Sequence, residues 1–198
     1  MHFVPKSAIT QLSRREQSAR RISACAQALT VEKGFEGFTM EELAEAAGVS
    51  RRTLFNYFDS KLDAVLGPEP ELGDELTAEF RAGGPSGALF DDLGHLAHDH
   101  FARMPQERQE FATMREVIRN PRIMAACHLR FEELAARVLA MIREREAGQY
   151  DELRAKVALG MLVMLCQVAL DNFVDITDDR SFIDHYDEAL QAARGLLH

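Results

Sequence analysis

A single glycine, Gly48, separates two short segments that both have the pattern of helices. Thr39 is followed three residues later by a glutamate, the spacing of a capping box, which predicts a helix over residues 40–46. Gly48 adopts the left-handed backbone of a tight turn without strain, and Ser50 is a favoured N-cap for a second helix over residues 51–57. This order of elements predicts a helix-turn-helix.

The rest of the chain also has helical periodicity. No long run alternates apolar and polar residues, and the six prolines and twelve glycines fall mostly between segments. The sequence therefore predicts an all-α protein with an N-terminal three-helix helix-turn-helix DNA-binding domain, followed by a helical ligand-binding and dimerisation domain. The predicted helices cover residues 14–33, 40–46, 51–57, 61–66, 72–81, 88–103, 106–119, 121–146, 150–174 and 181–197.

The boundary between the two domains is predicted near residue 67. The stretch from Gly67 to Gly87 contains Pro68, Pro70 and the sequence GGPSG, which are typical of a joint. We therefore assign residues 1–66 to the DNA-binding domain with a basic N-terminal arm. Residues 67–198 form the effector-binding and dimerisation domain.

Charge is distributed unevenly along the chain. The net charge is -9, yet residues 1–35 carry six basic against two acidic side chains, a balance of +4. Residues 36–66 have a balance of -3 and residues 67–198 a balance of -10. Because screening at physiological salt limits exposed charges to a range of about 8 Å, the acidic C-terminal domain does not exclude DNA binding by the N-terminal one.

The second helix of the motif carries side chains suited to DNA. Arginine donates two hydrogen bonds to guanine, and asparagine pairs with adenine, in the major groove. Tyrosine and lysine side chains near this helix are suited to phosphate contacts. The predicted DNA-binding residues are Thr39, Ser50, Arg51, Arg52, Thr53, Asn56, Tyr57 and Lys61. The arm residues Lys6, Arg14, Arg15, Arg20 and Arg21 either add phosphate or minor-groove contacts or form a solvated tail.

Across residues 21–66 the order and spacing of these features resemble the DNA-binding domain of the TetR family of bacterial regulators. The matching sequences are GF at 34–35, LAEAAGVS at 43–50, TLF at 53–55 and SK at 60–61. In the family the position of Phe55 is usually a tyrosine that contacts a phosphate, so packing is expected of Phe55 and the phosphate contact of Tyr57. The arginine pair resembles an actinobacterial subgroup that includes mycofactocin-linked regulators, some of which respond to long-chain acyl-CoA.

The penultimate helix is apolar on nearly every side. Its sequence VALGMLVMLCQVAL, residues 157–170, has no polar side to face solvent, so burial between two chains is expected. The resemblance implies the same arrangement, because the last two helices form the dimer interface in that family. A homodimer presents two recognition helices to a palindromic site.

A small-molecule pocket is expected in the C-terminal domain, because apolar side chains there are mixed with a few polar ones. The effector would be apolar or amphipathic, with acyl-CoA as one candidate. Packing into the core is the competing explanation for each lining residue. The candidate lining residues are Phe90, Phe101, Met104, Met114, Ile118, Met124, His128, Phe131, Met164, Gln167 and Asn172.

The sequence HLAHDH offers an alternative function. His95, His98 and Asp99 share one helical face, which would suit a metal-binding protein or a helical-bundle enzyme. No fourth ligand is evident nearby, so neither a metal nor another cofactor is predicted, and no enzymatic activity.

Three cysteines, Cys25, Cys127 and Cys166, lie among apolar neighbours and predict buried thiols in a reducing compartment. No signal sequence is evident, and the longest apolar run is too short for a membrane span. The sequence therefore predicts a cytoplasmic, ligand-responsive transcription regulator, most simply a repressor. A sensor dimer that has lost DNA binding is the remaining alternative.

Overall fold

The computed structural model describes residues 13–69, 72–104, 107–176 and 178–197, and every regular element within these ranges is helical. The all-α prediction is therefore confirmed. The chain divides into two compact units, Met1–Pro68 and Glu69–His198. The helices are α1 (Arg14–Lys33), α2 (Met40–Ala46), α3 (Arg51–Phe55), α4 (Lys61–Leu66), α5 (Asp74–Arg81), α6 (Leu89–Ala102), α7 (Arg108–Val117), α8 (Pro121–Glu146), α9 (Glu152–Asp175) and α10 (Phe182–Leu197).

Helix boundaries lie within two residues of the predicted ones wherever both are described. α1, α2 and α8 begin and end as predicted, whereas α3 ends at Phe55 instead of residue 57. α9 begins at Glu152 because the side chain of Asp151 accepts a hydrogen bond from the backbone of Arg154 at 3.1 Å, which makes Asp151 the N-cap. The predicted start of α7 at residue 106 lies outside the described residues.

The first unit packs four helices around a small core. Ile22 and Ala26 of α1 are fully buried, as are Leu43 of α2 and Leu54 of α3. Gly48 has a φ of 64°, the left-handed conformation that the turn requires. The order α2, turn, α3 is that of a helix-turn-helix, with the second helix held against the first by its buried leucine.

The second unit has its core between α6, α9 and α10. Leu93, Leu162, Phe182 and Tyr186 are buried there, and the Tyr186 hydroxyl donates to the carbonyl of Gly94 at 3.3 Å. A Cβ on Gly94 would lie 2.9 Å from the side chain of Leu190, so the absence of a side chain allows α6 and α10 to approach closely.

A buried ion pair joins α8 to the first turn of α6, next to the turn between α5 and α6. The Arg145 side chain is 3% exposed and that of Asp92 is fully buried, and they meet at 2.6 Å. Arg145 also donates to three backbone carbonyls, and Asp92 accepts from the backbone of Ser86 at 2.6 Å and of Gly87 at 3.2 Å. The carboxylate and the guanidinium are thus both hydrogen-bonded on several sides, as buried charges require.

The three cysteines are free but only half-buried, so the prediction of buried thiols holds in part. Cys25 donates to the carbonyl of Ala46 at 3.8 Å. Burial raises the pKa of the Cys166 thiol to about 12 and also raises that of Cys127. Because a thiol with a raised pKa stays protonated at neutral pH, these two cysteines are poor nucleophiles.

Candidate nucleic-acid interface

Two caps fix the helix-turn-helix. Thr39 and Glu42 form the predicted capping box: the Glu42 backbone donates to the Thr39 hydroxyl at 3.2 Å and the Thr39 backbone donates to the carboxylate at 2.8 Å. These hydrogen bonds, the one from the Thr39 backbone first, lower the pKa of Glu42. Ser50 caps α3 by accepting from the backbone of Thr53 at 3.0 Å, and the two hydroxyls are 2.7 Å apart. Thr39, Ser50 and Thr53 therefore hold the motif together by their own side chains.

The predicted base-reading residue Arg51 is exposed and already has partners within the unit. Its Nε lies 3.0 Å from Oε1 of Glu41, with 67% of the Arg51 side chain exposed. Its guanidinium also lies over the ring of Phe55, 5.5 Å from the ring centroid. Phe55 is 40% exposed, so the packing expected of it occurs against the Arg51 guanidinium at the surface and not in the core. Leu54 and Phe58 point inward instead, which turns Phe55 toward solvent on a helix of this pitch.

An open groove lies between the first turn of α1 and the end of α3. Its volume is about 630 Å³, and the guanidinium of Arg15 lies over the Tyr57 ring at 5.9 Å. Arg14 and Arg15 stand in the first turn of α1, where Ser13 and Glu16 form a second capping box. The groove is lined by Arg14, Arg15, Ser18, Thr53, Asn56 and Tyr57.

The predicted residues are therefore brought together only in part. Thr53, Asn56 and Tyr57 share the groove, whereas Arg51 and Arg52 lie at the exposed start of α3. Sequence reasoning did not select Ser18, although its spacing of three from Arg15 places both on one helical face. Lys6 of the predicted arm lies outside the described residues.

Lys61 has contacts inside the unit. Its ammonium donates to the carbonyl of Phe38 at 2.7 Å and lies over two rings, 4.8 Å from the centroid of Phe35 and 4.6 Å from that of Phe38. Both phenylalanines are buried in the segment between α1 and α2. A structural role for Lys61 thus accompanies the phosphate contact predicted for it.

Comparison with known proteins identifies the motif. Residues 22–65 match the sequence profile of bacterial regulatory proteins of the tetR family. The chain is 31% identical over 132 residues to the HTH-type transcriptional regulator TcmR of Streptomyces glaucescens, covering 63% of this chain and 58% of that protein. Residues 22–65 thus form a domain of the TetR-family type.

Two further proteins resemble the chain. It is 33% identical over 73 residues to the HTH-type transcriptional regulator CymR of Pseudomonas putida, covering 37% of this chain and 36% of that protein. A solved structure from Mesorhizobium loti, described as belonging to the TetR family of transcriptional regulators, aligns over 93% of this chain and 98% of that one, with 20% identity and a TM-score of 0.46. The matched stretches thus span less than two thirds of the length of either curated relative.

The predicted effector-pocket residues fall into two groups. Six are half-buried: Phe90, Phe101, Met104, Met114, Ile118 and Asn172. Five are exposed in the single chain: Met124, His128, Phe131, Met164 and Gln167. These five do not line an enclosed pocket inside the single chain. The apolar composition of α8 and α9 does not specify which face of each helix points inward.

Aromatic side chains cluster where α6, α7, α9 and α10 meet. The rings of Phe101 and Phe182 are 5.1 Å apart, and those of Phe111 and Phe182 stack at 5.0 Å. His100 and His185 border this cluster, although sequence reasoning selected His128 instead. Burial lowers the pKa of His100, and its Nδ1 is a buried atom that lacks a hydrogen bond among the described residues. The Phe101 and Phe111 rings are half-buried and the Phe182 ring is buried. Apolar rings beside an imidazole are the composition of a pocket for a mainly apolar molecule.

The outer face of α9 is apolar and exposed in the single chain. Leu153 is 73% exposed, Val157 53%, Met164 59% and Val168 42%. These residues recur at spacings of four and seven and therefore share one face. α9 is also long and apolar enough to cross a membrane, contrary to the expectation from the shorter run. One such helix by itself does not indicate a membrane protein.

The three residues proposed as metal ligands have separate partners. Asp99 is paired with Arg103 at 2.8 Å, His98 lies 3.7 Å from Asp187, and His95 lies 4.0 Å from Asp92. Within the part of the chain that the structure describes, no three histidine, cysteine or acidic side chains converge in a way that could hold a metal. Regulators of the family whose profile matches residues 22–65 are not typically enzymes.

Proposed function

We propose that this protein is a ligand-responsive transcription regulator that binds a palindromic operator as a homodimer. The observation that carries the proposal is the groove in which Arg14 and Arg15 stand beside Thr53, Asn56 and Tyr57. Two guanidinium groups at the N-terminus of a 20-residue helix add to the positive end of its dipole, which attracts phosphate. The start of α3 then enters the major groove, while α1 contacts the backbone beside it.

Homodimerisation through α9 and α10 supplies the second recognition helix. The apolar face of α9 would otherwise stay in contact with water, and a twofold contact between two such faces removes it from solvent. Regulators of the family usually dimerise, which supports this arrangement. Chromosomal DNA as the partner places the protein in the cytoplasm.

The effector is proposed to be small and apolar or amphipathic, with an acyl-CoA as one candidate. The half-buried aromatic side chains and the neighbouring imidazole of His100 support this chemistry. A ligand that binds more tightly to the form incompatible with DNA shifts the population toward that form. The protein then acts as a repressor that its effector releases.

The experiment measures binding to a duplex selected by the protein from a random pool, using fluorescence anisotropy at several salt concentrations. Because each lost phosphate contact reduces the slope of log K against log salt by about 0.9, Arg15→Ala should weaken selected and random duplexes alike and lower the slope by about one. Arg154→Ala removes the same charge from an exposed position on α9 and should leave both quantities unchanged.

Absence of binding to any duplex at low salt would contradict the proposal and favour a sensor without DNA binding. The effector is tested in the same assay: palmitoyl-CoA should release the selected duplex, whereas free coenzyme A should not. Release by both compounds alike would indicate competition by their phosphates and overturn the assignment of an apolar effector.

A further inference from the structure

Phe55 occupies the exposed side of the recognition helix. Its neighbours Leu54 and Phe58 are buried at 0% and 7% exposure, while Phe55 is 40% exposed. The Phe55 ring therefore contributes little to the core. It lies one turn after Arg51, whose guanidinium covers it at 5.5 Å.

Glu41 holds the other side of the same guanidinium. Oε1 of Glu41, at the start of α2, forms an ion pair with Arg51, 3.0 Å from its Nε. This contact uses Nε and leaves the two terminal Nη groups of Arg51 for other acceptors. Glu41 and Phe55 together restrict a long side chain that would otherwise sample many rotamers, so Arg51 loses less conformational entropy when it binds.

The two free Nη groups match the acceptors of a guanine. In the major groove guanine presents O6 and N7 side by side, and a bidentate arginine is the commonest specific contact to them. The Phe55 ring is next to the guanidinium, and neighbouring bases along a strand are about 3.4 Å apart. The Phe55 ring would therefore reach the base next to the guanine. The apolar group that a base presents in the major groove is the C5 methyl of thymine.

We propose that Glu41, Arg51 and Phe55 form one reading unit that recognises a guanine next to a thymine. Arg51 donates to O6 and N7 of the guanine, and Phe55 contacts the methyl group of the thymine. Glu41 is a positioning residue that acts through Arg51. The proposal rests on the proposed DNA-binding function. It adds the identity of two bases in the operator, a contact from Phe55 to one of them, and a role for Glu41 in orienting Arg51.

The test for Phe55 changes single atoms of the DNA. The wild-type protein selects a duplex from a random pool, and each thymine of that duplex is then replaced in turn by deoxyuridine, which lacks only the methyl group. One replacement should weaken wild-type binding about fourfold, the equivalent of about 0.8 kcal/mol for one buried carbon. Phe55→Ala should be insensitive to that replacement, and Phe55→Tyr, which keeps the ring, should remain sensitive.

The test for Glu41 uses 7-deazaguanine, which lacks the N7 acceptor, at the neighbouring guanine. The wild-type protein should lose about fivefold or more, the lower end of the range for a bidentate arginine contact. Glu41→Ala should reduce this penalty and bind the selected duplex more weakly. Its affinity for a random duplex should stay the same or rise, because a negative charge near the phosphates has been removed. Glu41→Gln keeps a hydrogen-bond acceptor, so its affinity for the selected duplex should lie between those of the wild-type protein and Glu41→Ala. If Glu41 acted only through its charge, Glu41→Ala would bind the selected duplex more tightly than the wild-type protein does.

Three outcomes overturn the reading unit. One is a deoxyuridine penalty that persists in Phe55→Ala, and another is tighter binding of the selected duplex by Glu41→Ala with the 7-deazaguanine penalty intact. The third is a wild-type protein that binds duplex DNA but enriches no sequence, which leaves the proposed DNA binding standing. Failure to bind any duplex would overturn both proposals. Far-UV circular dichroism of each variant checks that the domain remains folded.

Discussion

Lys61 stabilises the segment between α1 and α2 through its charge. The ammonium donates to the carbonyl of Phe38 and lies over the buried rings of Phe35 and Phe38. Lys61→Ala should therefore lower the free energy of unfolding by about 1–2 kcal/mol, from a charged hydrogen bond and a cation–π contact. Urea denaturation followed by circular dichroism measures the change.

Two variants separate this stabilising role from a phosphate contact. Lys61→Met keeps the apolar stem and should fall between wild type and Lys61→Ala in stability. Arg52→Ala removes an exposed charge and should change stability by less than about 0.5 kcal/mol. If Lys61→Ala retained full stability but lowered the salt slope of DNA binding by about one, Lys61 would be a phosphate anchor alone.

Residue types predict contacts only where local geometry decides them. Thr39, Gly48 and Ser50 have the predicted backbone roles because caps and tight turns depend on residues close in sequence. The exposure of Phe55 was not predicted, because it depends on which neighbouring side chains fill the core. The Glu41 contact with Arg51 joins two different helices, and no local pattern indicates such a pair.

The pairing of α8 with the turn after α5 depends on Arg145. Its guanidinium donates to the carbonyls of Phe80 at 3.0 Å and Gly83 at 3.1 Å as well as to Asp92. A lysine keeps the charge but lacks the planar fork that makes these contacts together. Arg145→Lys should lower the free energy of unfolding by about 2–4 kcal/mol, because buried carbonyls and a buried carboxylate lose donors.

Arg143→Lys is the matched control on the same helix. The Arg143 side chain is exposed and lies over the Tyr150 ring at 4.9 Å, so its replacement should cost less than about 1 kcal/mol. Urea denaturation at neutral pH compares the two variants. Equal losses for both would show that the buried network contributes no more than an exposed cation–π contact.

Helix boundaries were predicted closely, whereas the facing of the helices in the second unit was not. Asn120 and Pro121 mark the start of α8 in any tertiary context, since one caps the helix and the other fits its first turn. Which side of α8 points inward depends on α5 and α9, and an apolar residue such as Phe131 fits either side. The same ambiguity placed Met164 in a predicted pocket when it belongs to the exposed face of α9.

At the scale of the whole molecule, the family resemblance predicted the fold class because its motifs are local and closely spaced. The effector has no such signature, because a pocket is formed by side chains from several helices whose facing depends on packing. His100 and His185, which border the aromatic cluster, come from α6 and α10 and are distant in sequence. Only the three-dimensional arrangement brings them to the same region.

The exposed face of α9 predicts how the dimer is held. Val157 and Met164 are 53% and 59% exposed in the single chain and lie seven residues apart, on one face. Val157→Glu together with Met164→Glu would bury unpaired carboxylates in a contact between two such faces, at a cost of several kcal/mol. The double variant should be a monomer near 22.3 kDa by light scattering at micromolar concentration, where the wild-type protein is a dimer.

Leu129→Glu is the control for this prediction, because Leu129 is 56% exposed on α8 and lies outside the proposed interface. This variant should remain a dimer. A monomer brings only one recognition helix to a palindromic site, so it lacks the high effective concentration that a dimer gives to its second recognition helix. The double variant should therefore also bind the selected duplex at least about 100-fold more weakly. If the dimer dissociated in Leu129→Glu and not in the double variant, the interface would lie on α8 instead of α9.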